Sequence, residues 1–234
     1  MAWIYFKEEH LILQNMVREF ALKEIKPLAR EIDEQGRFPH ESIQKMSELG
    51  LMGIPWDEKY GGNNMDTLSL VIAIEEIGKV CPSTAATMMA HTSLGTAPID
   101  AFGSEEQKKK YLPKLASGQM IGAFGLTEPN AGSDAGNTQT TAVLAGDEYI
   151  INGQKVFCTN AGVAEIIIFT ACLIENGKNL GVSAFIVNSK TKGLKLGKPE
   201  KKMGWRGSDT RSIFFDDMHI SRNNILGKPT KGFR

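Results

Sequence analysis

"GAFGLTEPNAGSD", residues 122–134, is where the chain changes from one periodicity to another. Before it, apolar residues recur every three or four positions; after it, they alternate. The stretch follows a short apolar run, Ile121 to Leu126, and is polar, interrupted by Pro129 and loosened by Gly132. Two readings fit it. In one it is a bulged connection whose Thr127, Asn130 and Ser133 satisfy their own turn. In the other its backbone amides and hydroxyls donate to an anionic or polar heterocycle without needing a charged side chain. Spacing alone leaves both open.

Upstream, Leu13, Met16, Val17, Phe20, Ala21, Ile25, Leu28, Ala29 and Ile32 form one stripe on a long helix, which Pro27 is expected to kink. A second helix follows Pro39, runs through Ile43, Met46 and Leu49, and stops at Gly50, whose tolerance of positive φ suits a helix end. After the glycine- and proline-broken stretch 49–66, Asp66 is placed to cap a helix carrying Leu68, Val71, Ile72, Ile74 and Ile77. Pro82 to Ala101 reads as one further helix of small residues. "SEEQ" from Ser104 is a capping box, and Gly118 closes the helix it opens.

Downstream, "QTTAVLAGDEYIINGQKVF" (139–157) alternates and contains two turn compositions, "AGDE" and "NGQ". "EIIIFTAC", "GVSAFIVN", "LKLGK" and "SIFFDD" continue the pattern, which predicts an antiparallel meander forming a small barrel or sandwich. The 234 residues suffice for two cores, each of about 100 to 120 residues. The fold class is therefore α+β and multidomain: an all-α domain over 1–119, a β-domain over 120–224, and a segment 225–234 without a fold of its own, the start of a linker.

Composition excludes several function classes. Lys and Arg total 27 against 27 Asp and Glu, with no long single-sign run, so nothing drives capture of nucleic acid or an anionic membrane. "KKK" at 108–110 reads as a solvated helix face. Cys81, Cys158 and Cys172 are widely spaced and form no CxxC pair, which points to a reducing compartment. No segment approaches the ~20 apolar residues of a membrane span, and "MAWIYFKEEH" carries no secretory signal. His10, His40, His91 and His219 lack mutual metal spacing, so no metal site is expected. Glu75 and Glu76 are adjacent, and a helix points them in different directions. Arg206, Asp209 and Arg211 read as a turn-locking ion network, and Glu128 as a loop-fixing carboxylate.

"AFGLTEPNAGSDA", followed in order by "QTTAV", "DEYIINGQKVFCTNAG", "SAFIV" and "KKMGWRGSDTRSIFFDD", resembles the acyl-CoA dehydrogenases, most closely the short-chain, butyryl-CoA type. "YGG" and "FGSEEQKKKYLPKLASG" agree with it as well. The resemblance implies a helical domain, a β-domain and then a second, four-helix domain, with FAD between the last two. It assigns the flavin to Phe124, Gly125, Leu126, Thr127, Ser133, Phe157, Cys158 and Thr159, and the acyl-CoA substrate to Ser133, Met88 and His91. Phe157 stands where many relatives carry Trp, keeping an aromatic face but no indole donor. Thr159 matches the residue approaching the hydride-accepting edge.

The implied reaction is α,β-dehydrogenation of short-chain acyl-CoA to trans-2-enoyl-CoA in fatty acid β-oxidation. Electrons pass to electron-transferring flavoprotein, in a cytoplasmic or mitochondrial-matrix homo-oligomer, dimer or tetramer. In the family the proton-abstracting glutamate belongs to the second helical domain. It is therefore expected C-terminal to Arg234, which leaves these residues inactive alone and without a catalytic base. An acyl-CoA or nitroalkane oxidase, or a non-catalytic flavin- or partner-binding module, remain alternatives.

Overall fold

The computed structural model describes residues 5–232. Its first rod is α1 (Glu8–Phe20), a π-helical turn Ala21–Ile25, and α2 (Lys26–Gln35). Leu13, Val17, Ala21, Ile25 and Ile32 are buried along one face, as the stripe requires. The α-helical pattern of the rod is interrupted at the π turn, just ahead of Pro27. Pro27 lies in the first turn of α2, and the wide π turn ahead of it accommodates its missing N–H.

Helix α3 (His40–Glu48) is followed by Gly50 at φ 72°. Helix α4 (Thr67–Gly78) is capped by Asp66, whose Oδ1 accepts from the Ser69 amide at 2.9 Å. The helix expected over Pro82–Ala101 is instead α5 (Pro82–Met89), a π turn Ala90–Thr96, and α6 (Ala97–Phe102). Helix α7 (Glu105–Ala116) opens on the Ser104–Gln107 capping box and ends before Gly118, at φ 72°. Two contacts tie α1 to α4. The Nε and Nη2 of Arg18 donate to the two oxygens of buried Glu76 at 3.0 Å each, and His10 Nε2 meets Asp66 at 3.1 Å. Glu76 thus turns inward while its neighbour Glu75 pairs outside with Lys79.

The strands are β1 (Gly122–Gly125), β2 (Thr141–Ala145), β3 (Glu148–Thr159), β4 (Ile166–Glu175), β5 (Lys178–Asn188), β6 (Leu194–Leu196), β7 (Thr210–Ser221) and β8 (Ile225–Leu226). They form one sheet in the order β6-β7-β3-β2-β4-β5-β8, with β1 added at β4. This corrects the expected meander. β1 and β2 lie end to end beside β4 and run parallel to it, while the other pairs are antiparallel. The β-domain is otherwise the mostly antiparallel sheet expected, and among the described residues its hydrogen-bonded ladder stays open between β6 and β8. The sheet curls around an aromatic centre, with Phe169 4.4 Å from Phe215 and 5.6 Å from Phe185, and Tyr149 5.2 Å from Phe185.

Two further expectations change. "NGQ" is not a turn but a bulge inside β3, where Gly153 takes φ 141° and a Cβ would lie 2.6 Å from Thr140 Oγ1. The stretch after 224 is also pinned rather than loose: β8 pairs with β5, and the Gly232 amide donates to Val182 O at 3.0 Å.

Helices and sheet share one apolar cluster, from Leu13, Val17, Ile77 and Met88 to Ile167, Phe169 and Ile213. Where they meet, the π turn 90–96 crosses β1 through two glycines. A Cβ on Gly95 would lie 2.4 Å from the carbonyl carbon of Gly122, with backbone on both sides of the contact. Because backbone cannot swing aside, Gly95→Ala is expected to cost about 3 kcal/mol, read as a lowered urea midpoint. An unchanged midpoint would refute this account of the seam.

Candidate functional site

The alternation of β3 fails twice, and the second failure builds the site. Lys155 and Cys158 both point into the interior, so the bulge between them places Val156 and Phe157 together on the opposite side. Phe157 sits at φ 57° and is 65% exposed, unusual for so large an apolar group and a strained conformation for a residue with a Cβ. It borders a hollow of about 210 Å³ lined by Ala90, Leu94, Phe124, Leu126, Thr127, Val156, Phe157 and Thr159. The lining side chains are apolar except for two threonines, and none is titratable.

Five of the residues named from the sequence therefore meet: Phe124, Leu126, Thr127, Phe157 and Thr159. The others do not. Gly125, the last residue of β1, is buried, and a Cβ there would lie 3.0 Å from Lys155 Cγ; its bareness lets that side chain pass. Cys158 is buried too, its Sγ–H donating to Phe124 O at 3.1 Å. Burial, aided by the Asp209 carboxylate, pushes its thiol up to about 12, so it stays a neutral thiol. Ser133 is exposed on the loop beyond Ala131, outside the hollow.

Met88 and His91, assigned to the substrate, are both wholly buried. Met88 packs in the shared core. His91 receives the Gly122 N–H at Nδ1 (3.1 Å), so its Nε2 carries the proton and donates to Leu115 O (3.0 Å). It staples the π turn to β1 and to the end of α7. Ala90 and Leu94, four residues apart on the same turn, face the hollow instead. Helical spacing from Met88 does not reach them reliably, because a π turn rotates the residues after it relative to an α-helix.

Two buried polar groups hold the lining in place, and the sequence singled out one of them. Glu128 is the loop-fixing carboxylate expected: it accepts from the amides of Gln139 (2.6 Å) and Thr140 (3.1 Å). Its partner was not anticipated. The ammonium of Lys155, with 0% side-chain exposure, donates to Glu128 Oε1 at 2.7 Å, Leu126 O at 3.1 Å and Thr170 Oγ1 at 3.1 Å. Burial opposes the charge on Glu128, yet Lys155, Thr140 and Gln139 together hold its carboxyl below the usual range. Burial outweighs Glu128 at the lysine, whose ammonium is held below its ordinary value.

Asn160, at φ 67°, is the second group. Its Nδ2 donates to Thr87 O (3.1 Å) and its amide to Asp209 O (2.7 Å), joining α5, the end of β3 and the loop before β7. The predicted Arg206–Asp209–Arg211 network is only partly formed. Arg211 Nε donates to Asp209 Oδ1 at 2.8 Å, while Arg206 reaches across to Asp33 on α2 at 3.1 Å.

Comparison with known proteins gives the family and the fold. The chain matches the family described as acyl-CoA dehydrogenase, N-terminal domain, over residues 7–119, and that described as acyl-CoA dehydrogenase, middle domain, over 123–218. A short-chain specific acyl-CoA dehydrogenase of Clostridium acetobutylicum is 51% identical over 227 residues, 97% of this chain and 60% of the relative. The structure of butyryl-CoA dehydrogenase from Megasphaera elsdenii superposes with a TM-score of 0.93 at 39% identity, covering 100% of this chain and 62% of the other. An acyl-CoA dehydrogenase from Bacillus anthracis, complexed with FAD, gives 0.91 at 36% identity, covering 99% of this chain and 39% of that one. The chain thus spans about 60% of the length of the curated relatives it matches.

Two outcomes test the buried groups. Glu128→Ala strands the Lys155 ammonium in the interior and is expected to cost about 3–5 kcal/mol by denaturant unfolding. Burial lowers the His91 imidazole to about 4 from 6.5. Between those values the unfolded chain binds a proton that the folded one refuses, so stability falls as pH drops through that window and is unaffected above it. The loss should approach about 3 kcal/mol, and His91→Gln should flatten that acid limb in urea midpoints taken from pH 7 to pH 4.5.

Proposed function

This chain belongs to the acyl-CoA dehydrogenase family, and on that premise we propose that it forms the helical and β part of a flavoenzyme that dehydrogenates short-chain acyl-CoA between C2 and C3. The observation that carries the reading is the hollow beside Phe157: an aromatic face turned outward by a bulge, next to the hydroxyls of Thr127 and Thr159. Its fit to a flavin rests on the donors as well as the shape. The Thr127 carbonyl is occupied by the Val156 amide at 2.8 Å, while the Thr127 N–H has no backbone acceptor among the described residues and is free for a ligand.

About 210 Å³ is less than the ~300–1,000 Å³ of a small-molecule site. These residues therefore offer one wall of a site that other residues complete. FAD, when bound there, would supply a two-electron acceptor for the hydride leaving C3. Phe157 would stack on the ring system, Thr127 and Thr159 would orient it through hydrogen bonds, and Ala90 and Leu94 would exclude water from the acyl side. The lining has no carboxylate or imidazole, and the family resemblance implies a glutamate outside these residues as the acceptor of the C2 proton. Electron-transferring flavoprotein is the proposed oxidant of the reduced enzyme.

FAD titration and anaerobic addition of butyryl-CoA test the proposal. Binding of FAD followed by bleaching of its visible absorbance on adding the thioester is the expected result in a protein containing the remaining family length. Absence of flavin binding refutes the reading. Rapid reoxidation by air would replace the flavoprotein acceptor with oxygen. Phe157→Ala should weaken FAD binding about three- to tenfold.

A further inference from the structure

The ion pair under the hollow has a directional consequence. Lys155 Nζ donates to Leu126 O, the carbonyl of the peptide whose N–H belongs to Thr127. Among the described residues no peptide bond is cis, and in a trans peptide C=O and N–H point in opposite directions. With the carbonyl drawn toward the buried ammonium, trans geometry turns the Thr127 N–H away from it, and both Leu126 and Thr127 line the hollow. That amide has no backbone acceptor among the described residues. A cation bonded to the oxygen of a peptide withdraws electron density from its nitrogen, making the N–H a stronger donor, and the dry surroundings leave the effect unscreened.

We propose that Lys155 is a positioning residue that acts through the Leu126–Thr127 peptide, strengthening the Thr127 amide as a donor to electron-rich ligands in the hollow. With the flavin reading above, on which this inference rests for the identity of the ligand, the effect favours reduced over oxidised FAD, since reduction adds negative charge to the ring. Glu128 contributes by keeping the ammonium charged and in place, without itself touching the Leu126 carbonyl.

Two variants separate polarisation from simple packing. Glu128→Gln removes the counter-charge but leaves a neutral acceptor beside the ammonium. Lys155→Met combined with Glu128→Gln removes both charges together, so that no uncompensated ion is left inside. The Thr127 amide proton resonance is read without flavin, and the ratio of dissociation constants for oxidised and reduced FAD is read with it. In the double variant the resonance should move upfield and the preference for reduced FAD should fall about two- to fourfold. In Glu128→Gln, where the ammonium loses its counter-charge, both should change in the same direction but less than in the double variant.

An unmoved Thr127 resonance in the double variant, or equal changes in the two variants, overturns the inference. If the double variant does not fold, Lys155→Gln with Glu128→Gln keeps a neutral donor in place and should give a smaller upfield shift; none overturns the inference. Failure of the parent to bind FAD would defeat the flavin reading, while the Thr127 resonance would still decide the polarisation.

Discussion

A lysine ammonium shut away from water lies beneath the loop that follows β1, and Glu128 must come down from that loop to meet it. Separately the two charges would be prohibitive in the interior; together, with Leu126 O, Thr170 Oγ1 and the amides of Gln139 and Thr140, each finds its partners. The loop's path is set by this requirement. Glu128 also exchanges backbone hydrogen bonds with Ala131 at 3.0 and 3.1 Å, so the stretch after Thr127 folds back on itself just where the carboxylate descends. The lining residues Leu126 and Thr127 inherit their places from that anchor.

The same lysine explains the bulge in β3. Both Lys155 and Cys158 must be inside, three positions apart, whereas a regular strand would turn the second outward. One extra residue resolves the conflict, and its cost is the positive φ of Phe157. An aromatic ring held outward against backbone preference borders the hollow proposed for the flavin. On the helical side the corresponding irregularity is the π turn 90–96, anchored by His91 to β1 and α7, which brings Ala90 and Leu94 around to the same hollow.

Much of the fold was legible because it follows from local chemistry. The caps at Asp66 and Ser104, the stops at Gly50 and Gly118, and the buried stripe of the first rod all depend on residues within a turn or two of one another. The parallel placement of β1 and β2 beside β4 was not legible, since alternation specifies which face is buried but not which strand lies alongside. "NGQ" was misread for a related reason: the composition suits a tight turn and a bulge equally, and the Thr140 backbone beside Gly153 decides between them. Of the residues the family resemblance proposed for the flavin, Phe124, Leu126, Thr127, Phe157 and Thr159 line the hollow, whereas Met88 and His91, proposed for the substrate, are buried away from it. Ala90 and Leu94, which also line it, were not among the residues named, because a π turn leaves no clear mark in the residue pattern.

The sequence by itself determined the order of most helices and strands and, through its motifs, the family, because these reside in nearest-neighbour preferences and in patterns contiguous along the chain. Only the tertiary structure decided which side chains share the hollow and which lie beneath it. Lys155 reads as one more polar residue of an alternating strand until Glu128, 27 positions earlier, is seen against it. The energetics of a buried charge depend on what surrounds it in space, and that surrounding is assembled from segments the chain keeps far apart.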